Sequence, residues 1–251
     1  GARLVVWPES AVPFYFDYSP DVALTLQELG RQHGIYLFFG NDDVERGPEG
    51  RRVWVGAKML GPGGALVYRY HKVRLVPFGE YVPFKPVLTL GGRFTAKLVK
   101  QVADFTPGEG YPVGPVDGHP VGTLICYEAI FPDLVRQFAA GGAELLVNVT
   151  NDGWYGRTSA PHQHLSMALF RAVENGKYLV RAANTGITAV VDTRGRLVER
   201  TQLFDQTVLV RGVPLMKDAT FYPRHGDVFA WTCVALSLAL TAAALVIGRK
   251  A

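Results

Sequence analysis

Apolar residues along this chain fall into short runs separated by polar, Gly- and Pro-containing breaks, and the runs alternate in kind. "RLVVWPE" reads as a strand. Ser19-Pro20-Asp21 then offers an N-cap and a first-turn proline ahead of "VALTLQELGRQHG", a predicted helix that ends at Gly34. "IYLFFGN" is the next strand, and "RRVWVGAKMLGPGGALVYRYHKV" is two strands around a Gly-Pro-Gly-Gly turn, which suits a hairpin. After a longer irregular stretch, "HPVGTLIC", "AELLVNVTN", "KYLVRAANTG", "ITAVVDTRG" and "TVLVRGVPL" predict strands, while "PDLVRQFAAGG" and "PHQHLSMALFRAVENG" predict helices. Alternating strands and helices with several hairpins predict an α/β layered fold. No long period repeats itself, which argues against a solenoid.

The pattern changes near the end. From Val228 to Ile247 twenty residues pass without a charge, and a helix of that length is about 30 Å long, enough to cross a bilayer core. The alternative is a buried core helix, but such helices seldom run so far without a charged position. Arg249 and Lys250 follow the run, whereas Arg224 and Asp227 before it nearly cancel. The positive-inside rule then places the C-terminus in the cytoplasm and the rest of the chain outside, in a periplasm or its equivalent. The chain opens directly on an apolar run without an initiating Met, so it reads as a piece of something longer, with further membrane helices expected upstream. The expected organisation is one extracytoplasmic domain over residues 1–223 and a transmembrane helix over 228–247.

Composition narrows the chemistry. With 251 residues, 48% of them hydrophobic, the chain can bury a sizeable core. Two cysteines, Cys126 and Cys233, are too few for a disulfide framework, and the second lies in the apolar run, so Cys126 is expected to be a free thiol. The net charge of +4 is mild. Lys and Arg form no dense run interleaved with aromatics, so nucleic acid is not expected as a partner. There is no phosphate-binding loop and no dinucleotide fingerprint. His162 and His164 lack any further residue at zinc-ligand spacing, so no metal is expected.

Reactive side chains close several strands. Glu9 ends "VVWPE", Lys72 follows the hairpin and Cys126 closes "GTLIC". Singly, each has a plain reading as a turn residue, a surface charge and a packed thiol. Together they are a sufficient set. A thiol with a pKa near about 8.5 needs a base or a cation to act as a nucleophile; Glu9 can take its proton, and the ammonium of Lys72 can stabilise the oxyanion formed on a carbonyl. Acyl transfer through a thioester then needs no histidine.

"WPES", "YHKVRLVPFGEYVPF", "FTPGEG", "LICYEAIFPDLVR", "VNVTNDGWYG", "PHQHLSMALFRAVENGKYLVRAANTGITAVVD" and the final apolar run together resemble the C-terminal part of bacterial apolipoprotein N-acyltransferases, whose extracytoplasmic domain belongs to the nitrilase superfamily. The resemblance implies a four-layer αββα sandwich, here without its first strand and helix. It implies Glu9 as general base, Lys72 as oxyanion stabiliser and Cys126 as the acylated nucleophile. It adds Glu80, expected to orient Lys72 or Glu9, and Glu128; Tyr127, beside the nucleophile, also matches, and its backbone N–H is a candidate oxyanion donor. One departure stands out. Where the family pattern has Tyr-Asn-Ser before the hairpin turn, this chain has Trp54-Val55-Gly56, so the polar contact an Asn would supply near the site is lacking there.

The implied reaction is ping-pong and uses no cofactor. An acyl chain leaves the sn-1 position of a phospholipid, with phosphatidylethanolamine the expected donor, and passes through Cys126 to the α-amine of a diacylated apolipoprotein in the bacterial cytoplasmic membrane. Residues Phe84 to Val102, basic and apolar together, either lie at a membrane surface or fold over the domain's own core. Trp154 and Tyr155 either form a second lid suited to lipid headgroups or pack in the core. Two other readings keep the scaffold: a nitrilase-type amidase acting on small amides, and an inactive, membrane-tethered binding module.

Overall fold

The computed structural model describes residues 1–48, 50–85 and 104–248. Almost all of the basic, apolar stretch from Phe84 to Val102 lies outside these residues, as do Arg249 and Lys250.

The first sheet has the strand order β1 (Leu4–Val6), β2 (Tyr36–Gly40), β5 (Gly56–Leu60), β6 (Leu66–His71). Side chains alternate across a strand, and the partition is visible residue by residue. Leu37, Phe39 and Leu60 are buried with Val12, Phe16 and Leu26, under helix α1 (Pro20–His33). Phe38, Ala57, Met59, Tyr68 and Tyr70 point the other way, into the main core. Burying a side chain such as Leu37 or Phe39 completely contributes about 1.5–3 kcal/mol. α1 ends where expected, with Gly34 in the left-handed conformation at φ 59°. Ser19 holds the N-cap position but its hydroxyl makes no capping bond. The Gly-Pro-Gly-Gly turn joins β5 to β6, and Gly64 is required there: its φ is +78°, and a Cβ would sit 2.6 Å from the carbonyl oxygen of Gln27.

Between β2 and β5 the chain extends into a second hairpin, β3 (Asp43–Gly47) and β4 (Gly50–Trp54). The two ladders share one register, from Leu37 opposite Leu60 to Gly40 opposite Ala57 and on to Asp43 opposite Trp54. The intervening Asp42 therefore faces Val55 across the ladder.

The second sheet has the order β12 (Leu197–Arg200), β11 (Ala189–Val191), β10 (Tyr178–Asn184), β9 (Leu145–Asn151), β8 (His119–Ile125), β7 (Gly114–Val116), with β8, β9 and β10 parallel. Helices α2 (Pro132–Ala140) and α3 (Ala160–Asn175) cover its outer face. Phe138 of α2 lies over Gly122 of β8, where a Cβ would come within 2.7 Å of it. The inner face packs on the first sheet in one core that includes Tyr68, Tyr70, Val121, Ile125 and Val149. Helix, sheet, sheet, helix is the expected four-layer order.

The predicted final strand "TVLVRGVPL" is not a strand. Residues 207–215 carry no sheet pairing, and Val208 and Val210 are 80% and 75% exposed. Alternating apolar residues report an extended backbone; they do not place a partner edge within reach. Beyond this segment, α4 (Phe221–His225) docks on α2, where Arg136 donates to the carbonyl of Pro223 at 3.3 Å. Gly226 and Asp227 lead into α5 (Val228–Gly248), the one helix among the described residues long and apolar enough to cross a membrane; none of Val228–Leu245 is buried against the domain. Its Thr232 and Thr241 hydroxyls donate to the carbonyls of Val228 and Ser237, both at 2.8 Å, so their polarity is spent within the helix.

Candidate active site

Strands β1, β2 and β6 of the first sheet run in one direction, as do β8, β9 and β10 of the second. Their carboxyl ends meet at one edge of the sandwich, the place where open α/β sheets present ligand-binding groups. Glu9 follows β1, Lys72 follows β6, Cys126 follows β8, and Asn151 ends β9 with Asp152 just beyond it.

Lys72 is fully buried. Its Nζ donates to Glu80 Oε1 at 2.6 Å and to Glu9 Oε1 at 3.3 Å. Burial by itself would favour the neutral amine, but Glu9, Cys126 and Glu80 outweigh it and hold the ammonium pKa above its usual range. The two carboxylates are themselves pinned: the backbone N–H of Asn151 donates to Glu9 Oε2 and that of Val76 to Glu80 Oε2, both at 2.8 Å.

Cys126 opens a short 3-10 helix (Cys126–Ile130) with its backbone at φ +48°. Ser10 and Phe78, beside Glu9 and Glu80, are likewise left-handed at +49° and +61°. Non-glycine residues in this conformation cost about 1–3 kcal/mol each and persist only where the surroundings overdetermine them. Burial, then the charge of Glu9, push the Cys126 thiol up to about 12, while Lys72 and the Thr150 hydroxyl pull the other way. The resting group is therefore a thiol, and a nucleophilic role requires a base at the moment of attack.

Glu128 is wholly buried and joins the two sheets. Its Oε1 accepts from the Tyr70 hydroxyl and the Val73 N–H at 2.7 Å and from the Arg74 N–H at 3.2 Å; its Oε2 accepts from the Ile125 N–H at 2.8 Å. Burial raises this carboxyl to about 7 against the pull of those donors. Tyr127 packs edge-on against Phe131 with ring centres 4.9 Å apart. Trp154 is 87% exposed and Tyr155 is 37% exposed, so neither is core packing. Burial, and then the charge Cys126 would carry once ionised, raise the Tyr155 phenol above its usual range.

A buried polar chain escaped the sequence reading. His164 Nε2 donates to the Cys126 carbonyl at 3.0 Å, its Nδ1 lies 3.0 Å from Asp152 Oδ1, and Arg181 donates to Asp152 Oδ2 at 2.8 Å. Arg181 also bonds Asn148. His164 and Arg181 together hold the Asp152 carboxyl below its usual range despite its burial. The available signal was periodicity: Pro161, His164, Leu165, Ala168, Ala172 and Asn175 form the buried stripe of α3, and a histidine on such a stripe needs a partner. Among the described residues no group of His, Cys, Asp and Glu is arranged to hold a metal ion. A cavity of about 470 Å³ lies elsewhere, between α2 and residues 217–225.

Glycine also shapes the site. A Cβ on Gly40 would lie 2.5 Å from the Pro8 oxygen and 2.6 Å from the Glu9 Cα. Gly40→Ala is therefore expected to displace Glu9, lowering stability by about 1–3 kcal/mol and turnover roughly 100-fold. Thermal melting and steady-state assays on the variant check both.

A model of the carbon-nitrogen hydrolase family matches residues 1–217. The chain belongs to that family. Among solved structures, an amidase of the nitrilase superfamily from Nesterenkonia sp. AN1 superposes with a TM-score of 0.57 at 27% identity, covering 81% of this chain and 74% of that one. A second structure of that amidase, with acrylamide added at its active-site cysteine, gives 0.56 at 27% identity over 81% and 77%. The sandwich is thus the nitrilase fold. Among curated proteins, the apolipoprotein N-acyltransferase of Geobacter metallireducens is 46% identical over 98% of this chain and 46% of its own length. That of Methylococcus capsulatus is 38% identical over 94% and 45%. The chain spans about half the length of these two curated relatives.

Proposed function

We propose that this domain transfers an acyl chain from a membrane phospholipid, through a thioester on Cys126, to the α-amine of a diacylated lipoprotein. The observation that carries the reading is the convergence of a buried thiol, a carboxylate and a buried ammonium at the carboxyl ends of two facing sheets, in a chain similar to proteins named apolipoprotein N-acyltransferase. Glu9 takes the thiol proton as sulfur attacks the ester carbonyl. The resulting oxyanion is stabilised by Lys72, with the backbone N–H of Tyr127 as second donor. Collapse expels the alcohol of the lysophospholipid, which receives the proton from Glu9. The amine of the second substrate then attacks the thioester carbonyl, the C–N bond forms, and Cys126 leaves and is reprotonated. Glu80 fixes Lys72, and Glu128 fixes the strand ends on both sides of the site. α5 anchors the domain in the bacterial cytoplasmic membrane with the site on the outer side, and Trp154 and Tyr155 face the arriving lipid.

Intact mass spectrometry of the full-length protein in detergent, incubated with phosphatidylethanolamine and no acceptor, tests this. The expected result is a gain of one acyl chain, mapped to the Cys126 peptide and removed by hydroxylamine. Absence of the adduct, with hydrolysis of small amides instead, would assign the amidase activity of the structural relatives.

A further inference from the structure

The inner face of the first sheet carries a carboxylate that the mechanism does not use. Along β2 and past its end, Phe38, Gly40 and Asp42 share that face by strand alternation. Phe38 is in the main core, and the Gly40 Cβ position abuts the backbone of Glu9. Asp42 is the next residue on this face, two beyond Gly40, opposite Val55, and on the same side of the sheet as Lys72. Its neighbours are fully engaged elsewhere. Asn41 bonds the carbonyls of Val12 and Phe14 and the Phe16 N–H. Asp43 pairs with Lys58 at 2.6 Å and His71 at 2.7 Å. Asp42 is different. Its Oδ1 is buried and has no hydrogen-bond partner among the described residues.

A desolvated carboxylate oxygen left unpaired is costly, and its natural complement is a ligand that brings N–H donors and positive charge. Burial first, and then the charge of Glu9, raise this carboxyl to about 6, with Glu80 acting in the same sense and Lys58 and Lys72 against; it is still ionised at neutral pH. Among the described residues, Glu9, Glu80 and Asp42 thus outnumber the ammonium of Lys72 on this face. The site is set to attract a cation.

We infer that Asp42 is the acceptor-recognition residue of this site, its carboxylate binding the primary ammonium of the amine that receives the acyl group. The inference rests on the acyl-transfer reading above and adds the residue that selects an amine over water. At neutral pH an α-amine is mostly protonated and has no lone pair for attack. Asp42 holds the ammonium by one N–H while a second proton passes to Glu9; the freed lone pair then forms the C–N bond as the C–S bond breaks. The last surplus proton returns to the Cys126 sulfur, so each turnover of RNH3+ yields amide, thiol and one proton on Glu9 that leaves to solvent. The carboxylate also occupies the position facing Val55, where the related pattern has an Asn, so a polar group reaches this part of the site from the opposite strand.

The test separates the two half-reactions in the full-length protein in detergent, comparing wild type with Asp42→Asn and Asp42→Ala. Acylation of Cys126 by phosphatidylethanolamine is expected to stay within about twofold in both, which also reports that the variants fold. KM for a synthetic diacylated lipopeptide with a free α-amine is expected to rise about 10- to 100-fold, the factor for one hydrogen bond to a charged group. Release of the acyl chain by hydroxylamine, an uncharged nucleophile near neutral pH, is expected to be unchanged. An unaltered lipopeptide KM would overturn the inference. Equal loss in both half-reactions would overturn it too, by assigning Asp42 a structural role. A wild type that forms no acyl adduct would remove the acyl-transfer reading itself, and this one with it.

Discussion

Lys72→Met is expected to lower acylation of Cys126 by about 100- to 1000-fold, the scale set by loss of one oxyanion donor in a dry site, and to destabilise the domain at the same time. The methionine fills the space of the stem but leaves Glu9 and Glu80 facing each other without the ammonium they share. Breaking a buried pair from one side costs about 3–5 kcal/mol because the remaining charge is uncompensated. For a domain of this size that corresponds to a fall in thermal midpoint of roughly 10 °C. Melting curves of wild type and variant at one pH check the prediction; an unchanged midpoint would show that the two carboxylates had found other partners.

Glu128→Gln is expected to cost about 2–4 kcal/mol despite its near-identical shape. Four donors converge on the carboxylate, three on Oε1 and the Ile125 N–H on Oε2. A glutamine keeps one acceptor and turns the other oxygen into a donor, so whichever way the amide is flipped it points N–H at N–H. Keeping the oxygen toward Tyr70, Val73 and Arg74 orients the amide nitrogen at Ile125, the residue immediately before Cys126. The left-handed turn at Cys126 then loses a restraint, and acylation is expected to fall with stability. Denaturant unfolding and the single-turnover acylation rate, measured on one preparation, test the coupling; a lowered midpoint with unchanged acylation would show that the Cys126 backbone is held sufficiently by His164.

Much of this architecture was legible from local pattern. Helix α1 announced its ends through Pro20 and Gly34, and the β5–β6 hairpin through its glycines, because these residues act within a few positions of themselves. Glu9, Lys72 and Cys126 were legible as strand-end residues. Their grouping came from the chemistry of the set and from the family resemblance, because local pattern does not report that two sheets face each other. The β3–β4 hairpin was passed over although Gly47-Pro48-Glu49-Gly50 marks its turn: its charged strands, Asp43 to Gly47 and Gly50 to Trp54, carry no apolar alternation because little of them is buried. "TVLVRGVPL" failed in the opposite sense, having alternation without a neighbour. His164 was weighed only as a metal ligand and Asp42 was passed over, because what distinguishes them is the partner or lack of one across space, which spacing along the chain does not encode.

The link from domain to α5 is only Gly226 and Asp227, with α4 fastened to α2 on the domain side. With α5 seated in a bilayer, so short a leash leaves the domain little freedom to tumble and keeps it at the surface. Encounter then becomes a two-dimensional problem. Donor availability is counted as mole fraction in the plane of the membrane, not as molarity in the bulk, and inert detergent or lipid added at constant donor concentration would slow the reaction simply by spreading the same molecules over more area.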